Sequence, residues 1–205
     1  MWNRYDWSIG AGEEWTQGAQ TYKGLDPNTW KTSLINGMMS KYIKNGSTIL
    51  EIGPGAGRWT EILQKLTNKL ILVDISEKAL AFCRERFRGL ENIKYYLTDG
   101  RLDFIDDNVI DFIWSYDVFV HINPTDIEKY IIDFKRILRP NGCAVIHHAD
   151  KYSHEKFARE KAYRSYMNAH LFAEIVKRHQ MEMVEQNYDL VHIPGDVISV
   201  FRKPP

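Results

Sequence analysis

The feature that most constrains this chain is a glycine-rich turn between an apolar run and an amphipathic segment. Residues 51–57 read EIGPGAG, and the short β-prone run at 48–51 leads directly into them. Residues 58–66 then place apolar side chains at helical spacing. A glycine turn between a strand and a helix lets the backbone approach a ligand closely and points helix N-terminal amides at an anionic group. The turn therefore predicts a strand–turn–helix unit that binds a ligand.

Alternating strand and helix patterns extend over most of the remaining chain. The run at 70–73 is continuously apolar, which is typical of a strand buried on both faces of a parallel sheet. Ser76 is a good N-cap for the helix that follows, and Pro124 stands in the first turn of a helix predicted over 124–138. Further strands are predicted at 93–97, 109–115 and 143–147. The alternation indicates a doubly wound α/β sheet.

Both ends of the chain depart from this alternation. Residues 1–46 are rich in Trp, Tyr and Gly, and a helix is predicted there only over 29–42. After Asp150 the patterns predict helices over 153–165 and 168–179 and strands over 182–190 and 197–202. No crossover helix fits between these last two strands, so we expect them to pair antiparallel. We predict an aromatic cap or lid over 1–46 and one ligand-binding domain over 47–205.

The spacing of the glycines separates two classes of ligand. The dinucleotide fingerprint G-x-G-x-x-G is matched at Gly53 and Gly55, but Arg58 stands where its last glycine would be. The third glycine is Gly57 instead, which gives an acidic residue followed by G-x-G-x-G. This pattern taken alone is shared by too many chains to identify the ligand.

Acidic residues at the ends of the next two predicted strands add to it. Asp74 ends the second strand, about 20 residues beyond the turn, where a carboxylate can accept hydrogen bonds from both ribose hydroxyls. Asp99 ends the third strand, where a carboxylate can accept from an adenine amino group. Since ligands of open α/β sheets bind at the carboxyl ends of the strands, these positions and the glycine turn predict one nucleoside-binding edge.

Taken together, these residues resemble the successive motifs of the class I S-adenosylmethionine-dependent methyltransferases. The resemblance covers roughly residues 47–202, and the segments that carry it are 51–57, Asp74, 98–100, 111–121 and 138–142. It implies a Rossmann-like, seven-stranded and mostly parallel sheet with an antiparallel last strand, and S-adenosylmethionine as cofactor. Asn141 departs from the glycine that many members have, but Asn tolerates a left-handed backbone.

The resemblance also implies where each part of the cofactor lies. Glu51 and Gly53 would adjoin its methionine end, Asp74 its ribose, and Tyr116 with Asp117 would lie under the methionyl portion. Trp15 is the preferred lid residue, since an aromatic face near a sulfonium gains ~0.5–2 kcal/mol of cation–π attraction. The predicted cofactor-binding set is Trp15, Glu51, Gly53, Gly55, Gly57, Asp74, Ile75, Thr98, Asp99, Gly100 and Tyr116, with residues 98–100 around the adenine.

Histidines near the same sheet edge are candidates for a base acting on the methyl acceptor. His147 and His148 are adjacent on one strand, so their rings point to opposite faces, and His148, nearer the strand end, is predicted to face the acceptor. His121 is either a second base or a residue that shapes the pocket mouth. The predicted catalytic set is His148, His121 and Asp117. The histidines and acids would also permit a metal, but no ligand spacing stands out, and no metal is predicted.

Composition excludes several kinds of partner. Lys+Arg and Asp+Glu both total 27, so the clustered positive charge that holds proteins on nucleic acid is not expected. No apolar stretch is long enough to cross a bilayer, and the first residues lack the apolar core of a signal peptide. Cys83 and Cys143 are expected to be buried free thiols. We expect a cytoplasmic monomer or homodimer with a small-molecule or glycan acceptor.

Three functions fit the sequence to different degrees. Methyl transfer to a small molecule or glycan, most readily O-methylation, agrees with the aromatic N-terminal segment and the histidines at strand ends. N-methylation of a protein or amine is the second hypothesis, although residues 115–118 read SYDV and not the Asn/Asp-Pro-Pro-Tyr/Phe of one large group. The third is a catalytically idle S-adenosylmethionine-binding partner subunit, against which the intact glycine motif counts.

Overall fold

Seven strands form one mixed sheet in the computed structural model, which describes residues 2–151 and 164–205. The strands are β1 (Thr48–Ile52), β2 (Lys69–Asp74), β3 (Ile93–Leu97), β4 (Ile110–Phe119), β5 (Leu138–Ala149), β6 (Glu182–Asn187) and β7 (Asp196–Arg202). Their order is β3-β2-β1-β4-β5-β7-β6. Strand β7 runs antiparallel to both of its neighbours, while the other pairs are parallel. The predicted doubly wound sheet with a reversed last strand is confirmed.

Helices cover both faces of this sheet. They are α1 (Gln17–Lys23), α2 (Pro27–Leu34), α3 (Ser40–Tyr42), α4 (Thr60–Leu66), α5 (Glu77–Arg86), α6 (Pro124–Ile137) and α7 (Ala169–Arg178). On one face, α6 and α7 pack against β1, β4 and β5 through residues such as Phe134 and Phe172. On the other face, α2, α4 and α5 contribute Trp30, Leu63 and Leu80. Every residue of β1 is buried, as a central strand between two helical layers requires.

Local signals place the helix starts and one turn as the sequence predicts. The Ser76 hydroxyl accepts a hydrogen bond from the amide of Ala79 at the start of α5. Pro124 is in the first turn of α6, and Asn141 adopts the left-handed backbone expected of it, with φ at 65°. The Cys83 and Cys143 thiols are both buried and free.

The N-terminal region has more helix than the predicted segment at 29–42. A 3-10 helix, Gly10–Thr16, leads into α1, and α2 begins at Pro27, where the Asp26 carboxylate accepts from the Thr29 amide at 2.8 Å. The polar sequence before residue 29 hides these short helices because it has no apolar period. A π-helical turn, Ile35–Met39, then joins α2 to α3.

Other boundaries shift by a few residues. Strand β4 continues to Phe119, four residues beyond the predicted end, and β6 stops at Asn187 instead of 190. Helix α4 begins only at Thr60 because the glycine turn extends through Trp59. The helix predicted over 153–165 falls mostly outside the described residues. Within the described parts of the chain, no helix combines the length and apolarity needed to span a membrane.

Candidate functional site

The glycine turn follows β1 at the centre of the sheet's carboxyl edge. Gly53, Gly55 and Gly57 all have positive φ, at 71°, 56° and 83°. Only glycine adopts this region without strain, so the turn depends on its sequence. A Cβ placed on Gly53 would lie 2.3 Å from a Val118 methyl carbon at the end of β4. The ends of β1 and β4 therefore approach each other as closely as the backbone allows.

Two buried carboxylates flank this turn. The Glu51 carboxylate accepts from the Thr60 hydroxyl at 2.6 Å, and burial raises the pKa of Glu51 to about 8. Asp74 accepts from the Ser76 amide at 2.8 Å. Burial raises the pKa of Asp74 to about 6, against the effect of backbone amides, including that of Gly55, which lower it. The structure thus brings Glu51, the glycines and Asp74 together, as predicted for one ligand-binding edge.

The segment 98–100 adjoins the same edge. The Thr98 amide donates to the Asp74 carbonyl at 3.0 Å, and the Gly100 amide donates to the Thr98 hydroxyl at 3.0 Å. The Asp99 carboxylate is exposed and pairs with Arg101 at 3.0 Å, which lowers its pKa. Ile75 is also exposed beside Asp74. These residues are positioned to contact the outer end of a nucleoside, and their cofactor contacts stay predictions.

Aromatic residues of the N-terminal segment lie across the glycine turn. A Cβ on Gly55 would be 2.8 Å from the Trp7 ring, so this indole packs directly on the turn. The Tyr5 ring centroid lies 4.8 Å from that of Trp7 and 5.7 Å from that of Trp15. The Ser76 hydroxyl donates to the Asn3 side-chain oxygen at 2.9 Å, and this bond ties the segment to α5.

The individual aromatics of this region have different environments. Trp15, the predicted lid residue, is 41% exposed and its ring lies against Tyr5, whereas the Trp7 indole packs on Gly55 of the turn. Trp2 lies 5.5 Å from the His121 ring, whereas Trp30 is buried in the core beside Tyr116. The N-terminal aromatics therefore divide between a covering layer and the core. Their action as a lid stays a prediction.

A cluster of charged side chains is buried next to the turn, at the ends of β4, β5 and β7. We call Arg58, Tyr116, Asp117, His147, Arg164, His192 and Asp196 the buried charge cluster. Arg58 donates to Asp117 Oδ2 at 2.9 Å, and Arg164 contacts Asp196 Oδ2 at 2.8 Å. His147 lies between the two carboxylates, with Nδ1 at 3.3 Å from Asp117 Oδ1 and Nε2 at 3.3 Å from Asp196 Oδ2.

The remaining contacts of the cluster involve Tyr116 and His192. The Tyr116 ring stacks on the His147 ring with centroids 4.1 Å apart, and its hydroxyl is 3.1 Å from His192 Nδ1. His192 Nε2 is 3.6 Å from Asp117 Oδ1. Asp117 has a φ of 63°, which turns its carboxylate into the cluster at the end of β4.

Protonation in the cluster follows from burial and from its neighbours. Burial alone would raise the pKa of Asp117, but His192, His147 and Arg58 outweigh it and hold the pKa well below its usual value. Burial lowers the pKa of His147, yet its contacts with Asp117 and Asp196 raise it overall. Burial lowers the pKa of His192 to about 3. Asp117 is therefore ionised and a weak proton acceptor.

The two adjacent histidines point to opposite faces, as predicted, but the structure reverses which of them reaches the edge. His148 Nδ1 is 2.9 Å from the Ala149 carbonyl and Nε2 is 2.8 Å from the Ser199 hydroxyl. Its ring stacks on Phe172 of α7 at 4.0 Å, and burial lowers its pKa to about 3. His148 is thus enclosed on the α7 side of the sheet, because side chains alternate along β5 and that of residue 148 points away from Asp117. His147 is the histidine beside Asp117.

Sequence reasoning missed the other half of the cluster. His192 and Asp196 come from the connection before β7 and from its first residue, more than 70 residues after Asp117. In the sequence, Arg58 stands out only as the residue in place of the last glycine of the dinucleotide pattern. No local spacing links these positions. A prediction that β7 lies beside β5 would have placed His192 and Asp196 near Asp117.

Comparisons with known proteins agree with this fold. Residues 49–142 match the family described as "Methyltransferase domain". The demethylmenaquinone methyltransferase of Tropheryma whipplei (strain Twist) is 30% identical over 122 residues, which are 60% of this chain and 48% of that protein. A ubiquinone/menaquinone biosynthesis C-methyltransferase of Escherichia coli is 29% identical over 130 residues, covering 60% of this chain and 50% of that protein. The chain thus spans about half the length of these relatives.

Solved structures share the fold over most of the chain. A SAM-dependent methyltransferase from Aquifex aeolicus superimposes with a TM-score of 0.64 at 19% identity, covering 87% of this chain and 98% of that one. The N-methyltransferase NodS from Bradyrhizobium japonicum gives 0.67 at 21% identity, covering 88% and 100%. The strand order and the reversed β7 are those of the class I S-adenosylmethionine-dependent methyltransferases, so the chain has the fold of that family, and residues 49–142 match a methyltransferase domain.

Proposed function

We propose that this chain transfers the methyl group of S-adenosylmethionine to a hydroxyl of a small molecule or glycan. The observation that carries the proposal is the edge formed by the glycine turn, Glu51 and Asp74, with the N-terminal aromatics across it. Methyl transfer from a sulfonium is an in-line displacement, so catalysis depends largely on holding the two reactants in line. A preformed backbone cradle with a cover is suited to that task.

The cofactor would be held by residues that differ in chemistry along its length. The glycine turn gives the backbone close access to it, while Asp74 would accept from the ribose hydroxyls. Glu51, buried beside the turn, would face the methionine end, where the ammonium group of the cofactor favours its ionised form. Asp99 would accept from the adenine amino group at the exposed end of the edge.

The polarity of the acceptor is inferred from the buried charge cluster. Arg58 and Asp117 lie directly beside the glycine turn, at the end of β4, where an acceptor would meet the methyl group. The Nη1 atom of Arg58 is buried and has no hydrogen-bond partner among the described residues, so an acceptor with hydroxyls, which can accept from it, is favoured over a purely apolar one. The aromatic rings of Trp2, Tyr5 and Trp7 could stack on a sugar face. The T. whipplei relative is named as a demethylmenaquinone methyltransferase and the E. coli relative as a ubiquinone/menaquinone biosynthesis C-methyltransferase, so a carbon acceptor is the competing outcome.

Isothermal titration of the purified chain tests the cofactor. S-adenosylmethionine and its demethylated product should both bind with a stoichiometry of about one, and NADH should not bind. Binding of NADH without S-adenosylmethionine would overturn the proposal.

The acceptor is tested by incubating the chain and cofactor with panels of hydroxylated glycans and quinone precursors, followed by mass spectrometry of the products. Methylation on oxygen is expected, while methylation on carbon would support the chemistry named for the E. coli relative.

A further inference from the structure

Three metal-ligating side chains converge within the buried charge cluster. Asp117, His147 and His192 each offer one ligand atom, and these atoms all lie within 4.8 Å of one another. Asp117 Oδ1 is central, at 3.3 Å from His147 Nδ1 and 3.6 Å from His192 Nε2. Among the described residues 2–151 and 164–205, this is the one such group of three. The ligands come from β4, from β5 and from the connection before β7.

Asp117 Oδ1 has two imidazole nitrogens close to it, one from each histidine. His147 Nδ1 accepts a hydrogen bond from the Asp117 amide at 3.1 Å, and a metal ion bound at this nitrogen would replace that bond. Its neighbour Asp117 Oδ1 is then a second acceptor, 3.3 Å away. His192 Nε2, at 3.6 Å, is too distant to donate a hydrogen bond to the same oxygen. Acceptor atoms that converge in this way are stabilised by a cation among them.

Each of the three ligands is also held from its far side. Tyr116 hydroxyl contacts Nδ1 of His192, so the ring can present Nε2 to a metal. His147 Nε2 faces Asp196 Oδ2, which in turn is held by Arg164. Arg58 binds the second oxygen of Asp117. Partners of this kind fix the tautomer and orientation of metal ligands and are typical of metal sites.

We propose that Asp117, His147 and His192 bind one divalent transition-metal ion. Two imidazoles and one carboxylate suit zinc, iron, manganese, cobalt or nickel, and three protein ligands leave coordination positions open. The imidazoles are buried, whereas the Asp117 side chain is 21% exposed, so the open positions face the side of Asp117. Val118 touches the glycine turn, so this side of Asp117 lies next to the turn. We call the glycine turn with Glu51 and Asp74 the cofactor edge. If the proposed methyl transfer is correct, the ion would hold an acceptor oxygen there; binding of the ion does not depend on it.

Metal content and metal affinity test the proposal on the intact chain. Protein stripped with a chelator should take up about one equivalent of Zn²⁺ or Mn²⁺ by isothermal titration and elemental analysis. His192→Gln should abolish this uptake, and Tyr116→Phe should weaken it by ~10–100-fold because it removes the partner of His192 Nδ1. His170→Gln is the matched control, since that histidine is exposed on α7 and its ion pair with Glu174 lies outside the cluster. It should change nothing.

Two further measurements make the outcome decisive. Cobalt-loaded wild-type protein should show visible ligand-field absorption that Zn²⁺ displaces, which tests the site even if His192→Gln does not fold. S-adenosylmethionine titrations on the same samples separate the two proposals, because metal uptake without cofactor binding would support this one and contradict the proposed function. Wild-type protein that takes up no metal would overturn the proposed site. The cluster would then be held by a protonated His147 between Asp117 and Asp196. Uptake that persists in folded His192→Gln, at the affinity of the wild type and of His170→Gln, would also overturn the site.

Discussion

The cofactor edge and the buried charge cluster lie side by side at one end of the sheet, but they are stabilised differently. The cofactor edge depends on backbone shape: its glycines have positive φ, and a Cβ added to Gly53 or Gly55 would collide with Val118 or Trp7. The cluster depends on side chains that neutralise one another away from water, from Arg58 through Asp117, His147 and Asp196 to Arg164. Changes in the cluster should therefore act mainly on stability, and changes at the edge mainly on cofactor binding.

The largest loss of stability is expected from Asp196→Asn. This carboxylate is buried between Arg164 and His147, so neutralising it leaves a buried cation without its partner. Breaking a buried pair in this way costs about 3–5 kcal/mol of unfolding free energy, measured by urea denaturation. The affinity of the folded protein for S-adenosylmethionine should stay unchanged. A loss below about 1 kcal/mol would show that the cluster does not stabilise the fold.

Gly53→Ala should affect stability and cofactor binding together. The new methyl group would meet Val118 and would force a left-handed alanine, at a combined cost of ~3 kcal/mol. S-adenosylmethionine binding should fall below detection by titration calorimetry because the turn must shift.

The matched control is Gly89→Ala. Its φ is 87°, but nothing lies within 4 Å of the added carbon. Only the backbone cost of ~1–2 kcal/mol is expected, with cofactor binding unchanged. Equal effects of the two substitutions would contradict the close approach of the β1 and β4 ends.

Cofactor affinity should depend on pH through Asp74. Its pKa is about 6 in the free protein, and only the ionised carboxylate accepts from both ribose hydroxyls. Binding therefore favours the deprotonated form, so the ratio of wild-type to Asp74→Asn affinity should be constant above pH 7 and fall about tenfold per pH unit well below 6. This ratio removes the titration of Glu51, which both proteins share. The affinity is measured by calorimetry at each pH for the wild type and for Asp74→Asn. Comparing the two cancels the pH dependence that comes from ionisable groups of the ligand itself. A wild-type curve parallel to that of the variant would disprove the ribose placement.

The smallest effect is expected from the covering aromatics. Trp7→Ala removes the ring that packs on Gly55 and should weaken S-adenosylmethionine binding about fivefold, or ~1 kcal/mol. Trp15→Ala removes the more exposed ring and should have less effect. Stopped-flow dissociation rates compare the two variants directly. A larger effect at Trp15 would restore it as the principal lid residue.

The sequence predicted the sheet and the position of the glycine turn beside Asp74 because these signals are local. The apolar run at 70–73, the N-cap Ser76 and the turn at 51–57 are each encoded within a few neighbouring residues. The prediction failed for His148 because alternation shows only that adjacent side chains face opposite ways, and not which face is open. His192 and Asp196 reach Asp117 only through the antiparallel insertion of β7 beside β5, a contact that no short pattern encodes.

The most direct test of the account is a crystal structure of the chain with S-adenosylhomocysteine. The account predicts electron density for the ligand along the glycine turn, with both ribose hydroxyls on Asp74 and the sulfur near the end of β4. Ligand density elsewhere, or a ribose that does not contact Asp74, would contradict the placement of the cofactor on which the proposed function rests.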